Sequence, residues 1–146
     1  MHLLFAVLLL AAYLITPCSF FNVPVGIFCS CPPTNSRSNS VISGLSSLRY
    51  VDGVLVRVGW ADLEPVKGIY NWTLLDNQFA LAATANLKVS LAIIFGPSAP
   101  SWLYLSGGVV QVNSTQGTIP LPWDASYLSF WTAFIAQLGT RYSGHS

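Results

Sequence analysis

Between Val51 and Gly96 the sequence alternates in a way that admits few folds. A valine-rich segment ending in Arg57-Val58-Gly59-Trp60 runs into Ala61-Asp62-Leu63-Glu64-Pro65, then a helical stretch, then a second apolar strand. Strand, loop, helix, strand is the repeating unit of a parallel α/β sheet, whose working loops lie at the carboxyl ends of the strands. Within Val51 to Trp60, Val54, Val56 and Val58 share one face and Leu55, Arg57 and Gly59 the other, because strand side chains alternate. The valines are expected against helices, and Arg57 on the opposite side, which in a closed sheet is the barrel interior. A guanidinium buried there requires a carboxylate or a ligand.

The same reading extends along the chain. Val23 to Cys29 reads as an earlier strand, Pro32 to Ser40 as a polar connection rich in turn formers, and Val41 to Leu48 as a short helix. Asn71 is placed to cap a helix with the apolar stripe Trp72, Leu75, Phe79, Ala82 and Ala83, and Asn86-Leu87 to close it. Lys88 to Phe95 is the next strand, with Ser90, Ala92 and Ile94 on the face where small residues suit a crowded barrel centre. Ser98 to Pro122 reads as a long functional loop. Asp124 then caps a helix in which Tyr127, Leu128, Trp131, Phe134, Ile135, Leu138 and Tyr142 follow the 3.6-residue period.

Three strand-helix units fall well short of the roughly 250 residues of a TIM (β/α)8 barrel. A part-built parallel sheet also leaves an exposed edge. The expected architecture is α/β, the N-terminal portion of such a barrel over residues 20–146, completed by more chain or by a partner.

Hydrophobic residues make up 53% and charged residues 8% of the chain, against about 25% charged in soluble domains. Part of the bias is local, since Leu3 to Ile15 is an unbroken apolar run. It has the length of a secretory core and falls short of the roughly 20 residues that span a bilayer. Residues 1–19 are therefore expected to be a signal peptide and the protein secreted. Retention of the segment as an anchor through Phe21 is the alternative, and only then is a membrane a partner. A net charge of +1 with no run of Lys or Arg argues against nucleic acid. If Cys18 leaves with the signal, Cys29 and Cys31 remain, too close for an easy disulfide and without the second ligand pair of a zinc site. No metal is expected, and the thiols read as ordinary strand-end residues. Asn71-Trp72-Thr73 and Asn113-Ser114-Thr115 are glycosylation sequons, and Asn113, in a loop, is the better acceptor.

From Val56 to Asp76 the run V-R-V-G-W-A-D-L-E-P-V-K-G-I-Y-N-W-T-L-L-D resembles the strand-two region of the retaining (β/α)8 glycosidases. Glycoside hydrolase family 42 (β-galactosidase-like) is the nearest in pattern, with family 5 a close second. Ala99-Pro100-Ser101-Trp102-Leu103 resembles the A-P-x-W-L segment of the same group, and Pro122-Trp123-Asp124 with Arg141-Tyr142 fits the next helix. The likeness covers roughly residues 50–143.

The resemblance implies hydrolysis of O-glycosidic bonds in a carbohydrate substrate, without a cofactor. It implies an acid/base glutamate in an Asn-Glu pair after strand four and a nucleophile glutamate near strand seven. Retaining hydrolysis needs two such carboxyl groups about 5 Å apart. Glu64 is the only glutamate and there is no Asn-Glu dipeptide. No catalytic residue is therefore expected on this chain, and it is expected to be inactive alone. Arg57 matches the arginine that helps to keep the nucleophile ionised, a structural salt bridge being its alternative. Arg57, Trp60 and Trp102 are the expected substrate-binding residues, the indoles by stacking on sugar rings. Trp123 also sits near such a loop, but core packing is its simpler role, as for Trp72 and Trp131. Glu64 reads as a brace for its loop, and so does Asp62; Asp76 pairs locally and Asp124 caps. The second functional reading is a non-catalytic carbohydrate-binding or cell-surface protein that reuses the front of the barrel.

Overall fold

The computed structural model describes residues 25–31, 36–105, 108–115 and 117–144, with backbone only for 36–38. The segment expected to be a signal or an anchor, with Cys18, lies outside the described residues. Among the described residues no helix is long and apolar enough to cross a membrane.

Three parallel strands stand side by side in chain order: β1 (Phe28–Ser30), β2 (Gly53–Gly59) and β3 (Lys88–Ile94). Helix α1 (Ser36–Leu45) links β1 to β2, while α2 (Trp60–Leu63) and α3 (Thr73–Thr84) link β2 to β3. The expected strand at Val23 to Cys29 is thus shorter and later, and α1 begins inside the stretch read as a polar connection. Ile42 and Leu45 are buried in the core, so docking of α1 outweighs the poor intrinsic propensity of its serines and Gly44.

Register follows the alternation in the sequence. Cys29 pairs with Val54 and Val54 with Val89, Val56 with Leu91 and Val58 with Ile93. Val54, Val56 and Val58 are at most 1% exposed and pack with Ile42, Leu75, Ala82 and Phe134 from the helices. Fully burying an aliphatic side chain is worth about 1.5–3 kcal/mol as an upper bound. Gly53 opens β2 because the Phe28 ring lies over it, and a Cβ there would also come within 2.6 Å of the Lys88 carbonyl oxygen.

Local signals set the ends of α3. The N-cap residue is Trp72, one later than the expected Asn71, whose Oδ1 accepts from Thr73 N–H at 3.2 Å in the turn leading into the helix. At the other end Asn86 takes the left-handed conformation (φ 54°). Leu87 N–H reaches the Ala82 carbonyl and Asn86 N–H that of Ala83, at 2.9 and 3.1 Å, which together make a Schellman closure. Leu75 and Ala82 are buried on α3, whereas Ala83 is exposed. Gln78, also buried, donates through its amide nitrogen to Asn39 of α1 and ties the two helices together.

The segment from Ser98 to Pro122 is more ordered than a long loop. It contains helix α4 (Trp102–Leu105) and an antiparallel hairpin of β4 (Gln111–Ser114) and β5 (Gly117–Pro120). Asn113 therefore lies exposed on a strand, its Oδ1 accepting from Thr118 Oγ1 at 3.2 Å. Helix α5 (Ala125–Tyr142) follows, and Asp124 Oδ1 accepts from Tyr127 N–H at 2.8 Å, the cap expected of it. Tyr127 and Phe134 are buried, but Leu128 and Ile135 on the same helix are exposed.

Candidate functional site

At the carboxyl end of β2 the chain turns directly into α2. Gly59 permits the turn, since a Cβ there would stand 2.9 Å from Asp62 Oδ2 and 3.2 Å from Ser98 Cβ, which belongs to the turn after β3. Trp60 follows and is 0% exposed. Its ring is the hub of an aromatic cluster, with centroids 5.2 Å from Trp131, 5.3 Å from Phe134 and 6.0 Å from both Trp102 and Tyr127. Edge and tilted contacts of this kind are favoured by the ring quadrupoles.

The cluster holds one buried carboxylate. Trp60 Nε1–H donates to Glu64 Oε2 and Gly68 N–H to Glu64 Oε1, each at 2.8 Å, while Trp102 Nε1–H donates to the Glu64 carbonyl at 2.9 Å. Two neutral donors thus bond a carboxylate that no cation among the described residues pairs. Glu64 braces the loop, as its position before Pro65 suggested. The sequence suggests that Trp60 and Trp102 are open to sugar, but the structure has both inside, Trp102 at 9% exposure. The physical reason is that α5 returns over them and that each N–H finds its acceptor on Glu64. In this chain they floor the site and present no ring face to solvent.

The other face of the sheet carries Phe28, Ser30, Leu55, Arg57, Ser90, Ala92 and Ile94, with Arg57 opposite Ala92 in the middle. Arg57 is exposed, and the ion pair found among the described residues is Arg141 with Asp76. The expectation of a buried, partnered guanidinium is therefore not met within this chain, because nothing described covers that face. Its direction, away from the valines, is the one that alternation requires. At the carboxyl end of β3, β5 of the hairpin packs on the turn at Gly96–Ser98, and Tyr104 Oη–H donates to the Thr118 carbonyl at 3.2 Å. Trp123, read from the sequence as core, is 73% exposed beside this hairpin. Phe95, which the sequence reading passed over, is half exposed at the end of β3 against Trp131.

The five carboxylates are accounted for in turn. Glu64 is locked as above, Asp124 caps α5, and Asp52 Oδ2 accepts from Ile27 N–H at 2.8 Å. Asp76 is not paired locally: it accepts from Arg141 Nη2 at 2.6 Å and from Tyr142 Oη at 2.7 Å, which clamps α3 to the end of α5. Asp62 is exposed at the mouth. No cluster of three or more His, Cys, Asp or Glu exists among the described residues. Cys29 and Cys31 are free thiols, and burial, then the neighbouring Cys29, pushes the Cys31 thiol up.

Burial, then the hydrogen bond to Asp76, pushes the Tyr142 hydroxyl up to about 12. The folded state therefore holds this proton where the unfolded chain, at about 10, releases it. The contribution of this proton to stability is whole below pH 10 and is expected to be lost as pH rises from about 10 to about 12. Alkaline denaturation followed by circular dichroism should show this, and Tyr142→Phe should flatten the slope over that interval. An unchanged slope in the variant would mean that Tyr142 ionises alike in both states.

Comparison with known proteins puts this arrangement among the glycoside hydrolases. The chain belongs to glycoside hydrolase family 42, whose model, described as Beta-galactosidase, matches residues 45–120. It is 32% identical over 90 residues to endo-1,4-beta-xylanase B of Cellvibrio japonicus (strain Ueda107), a match covering 59% of this chain and 14% of the xylanase. Its fold is similar to part of the exo-beta-1,4-mannosidase Op5Man5 from Opitutaceae bacterium strain TAV5, with a TM-score of 0.52 and 17% identity over 81% of this chain and 22% of that one. The chain thus spans less than a quarter of each of these two relatives.

Proposed function

We propose that this chain is the front of a secreted (β/α)8 glycoside hydrolase that acts on β-linked sugars with retention, residues 1–19 serving as its signal peptide. The observation that carries the reading is the parallel order β1, β2, β3 with Arg57 in the middle of the uncovered face. In a closed barrel that face is the interior and opens at the carboxyl ends of the strands. Membership of family 42 supports a glycosidase, and the xylanase and mannosidase likenesses are compatible with a β-linked substrate.

The mechanism assigns limited roles to the residues present. Retaining hydrolysis uses one carboxylic acid to protonate the leaving oxygen and one carboxylate to attack the sugar carbon. Glu64, Asp52, Asp76 and Asp124 are each held in structural hydrogen bonds, and exposed Asp62 is a single carboxylate where the reaction needs two. Arg57 would lie beside a nucleophile carried elsewhere, lowering its proton affinity and binding the charged site. Glu64, Trp60 and Trp102 hold the β2 loop beneath the sugar. The chain alone is then inactive.

The test is to express the chain with and without the coding sequence downstream of Ser146 and to assay chromogenic β-galactosides, β-xylosides and β-mannosides. Turnover only by the longer protein, abolished by Arg57→Ala, is expected. A longer frame that folds but hydrolyses none of these, or turnover by the short chain, would overturn the proposal.

A further inference from the structure

The chain carries two acceptor triplets for N-linked sugar, Asn71-Trp72-Thr73 and Asn113-Ser114-Thr115, of which the second is the better acceptor if it lies in a loop. It does not. Asn113 lies within β4 opposite Thr118, its Oδ1 accepts from Thr118 Oγ1 at 3.2 Å, and Ser114 Oγ–H donates to the Gly117 carbonyl at 2.8 Å. Those contacts draw the triplet out along a ladder that exists only once both strands have been made. At the first triplet the contact is internal: Asn71 Oδ1 accepts from Thr73 N–H at 3.2 Å, a turn closed by the asparagine side chain over the triplet itself. It needs nothing from elsewhere in the chain.

Transfer of a glycan consumes the amide nitrogen, so Nδ2 has to be free while the amide oxygen can be held. Asn71 meets this condition, since its oxygen is engaged and its Nδ2 makes no hydrogen bond among the described residues. The middle residue takes a separate place: the Trp72 ring stacks on Tyr70 with centroids 5.2 Å apart and also packs against Phe134, while Asn71 and Thr73 on either side of it are exposed. The backbone is anchored as well, because Asn71 N–H donates to the Leu63 carbonyl at 2.8 Å. Transfer takes place as a chain enters the secretory compartment. What later segments cover afterwards does not decide it.

We infer that Asn71 is an N-glycan acceptor, taking an oligosaccharide from a lipid-linked diphosphate donor. Nδ2 displaces the diphosphate at the anomeric carbon of the sugar: the C–N bond forms, the C–O bond breaks, the lipid diphosphate leaves with the bonding electron pair, and the amide gives up one proton. The inference rests on the export reading above. It puts the glycan at the start of α3, tied through Leu63 to the loop that Glu64 braces.

The experiment is expression of the chain in a eukaryotic line that glycosylates exported proteins, once with its own residues 1–19 and once with a host secretory leader in their place. Chain that has crossed the membrane, in cells or in medium, is treated with peptide-N-glycosidase and read by gel mobility and peptide mass. Most copies are expected to carry a glycan on the Asn71 peptide, and Asn71→Gln and Thr73→Ala each to remove one step of mobility, in the parent and in an Asn113→Gln background. Thr73→Ala keeps the N–H that Asn71 Oδ1 holds and deletes only the hydroxyl of the triplet, and Thr73→Ser should restore the glycan. A bare Asn71 peptide in most copies made with the host leader, or mobility unchanged in both variants, overturns the inference. Translocation with the host leader but not with residues 1–19 sinks the export reading, and the Asn71 result is then read from the host-leader arm.

Discussion

Replacing Trp60 with alanine is expected to remove about 3–5 kcal/mol of stability, the range for emptying a large aromatic site in a packed core. The size of the effect follows from position, since the ring touches Trp102, Tyr127, Trp131 and Phe134 at once. A domain of ordinary stability, about 5–15 kcal/mol, would keep little margin. Trp60→Phe separates packing from hydrogen bonding: it retains a ring but strips the N–H from Glu64 Oε2, and about 1–3 kcal/mol should go. Urea denaturation read by circular dichroism measures both. A loss below about 1 kcal/mol for the alanine variant would show that the aromatic cluster does not hold the fold.

Glu64→Ala should cost about 3 kcal/mol, although it deletes only a few atoms. Trp60 Nε1–H would be left buried without an acceptor at about 1–3 kcal/mol, the emptied Glu64 site adds to that, and Gly68 N–H, on an exposed residue, turns to water at little cost. Glu64→Gln keeps one oxygen and turns an amide donor towards the other N–H, so an intermediate loss is expected. Because the two side chains share a bond, Trp60→Phe and Glu64→Ala should be less than additive, with a coupling of about 1 kcal/mol or more. Strict additivity in that cycle would mean that the bond contributes nothing. The same substitution should loosen the loop from Pro65 to Tyr70, read as faster amide exchange at Gly68.

These two residues also mark what could and could not be read from the sequence. β2 and β3 were legible because valine alternation is a local property, and their bounds moved by only one or two residues. The cap at Asp124 and the closure at Asn86 were legible for the same reason, and the start of α3 was read one residue early. Glu64 as a brace was recognisable from its place before Pro65, but its partners were not: Trp102 is far along the chain and arrives only through the fold. Burial of Trp60 likewise depends on α5 folding back, which no local pattern encodes. Asp76 reads as a locally paired helix residue until Arg141 and Tyr142 are brought to it from the far end of α5.

The hairpin was missed for a different cause. Its strands are four residues long and largely exposed, so the alternation in Gln111-Val112-Asn113-Ser114 and Gly117-Thr118-Ile119-Pro120 buries no clear face. The signal that was present is the turn-forming run Asn113 to Gly117, which overlaps the inner ends of both strands. Arg57 shows a third kind of limit. Alternation sets the face on which it lies, and its exposure depends on what covers that face.

Because the strands stand in order of synthesis, each needs only the one made just before it as a template. β2 can zip onto β1, and β3 onto β2, while later residues are still inside the ribosome, and neither β2 nor β3 has to wait for a distant segment to begin pairing. Growth is one-sided, like adding staves to a cask, and the fresh stave always offers its free backbone groups to the next. A chaperone that guards this protein during translation would have two edges to protect, a fixed one at β1 and a moving one at the newest strand.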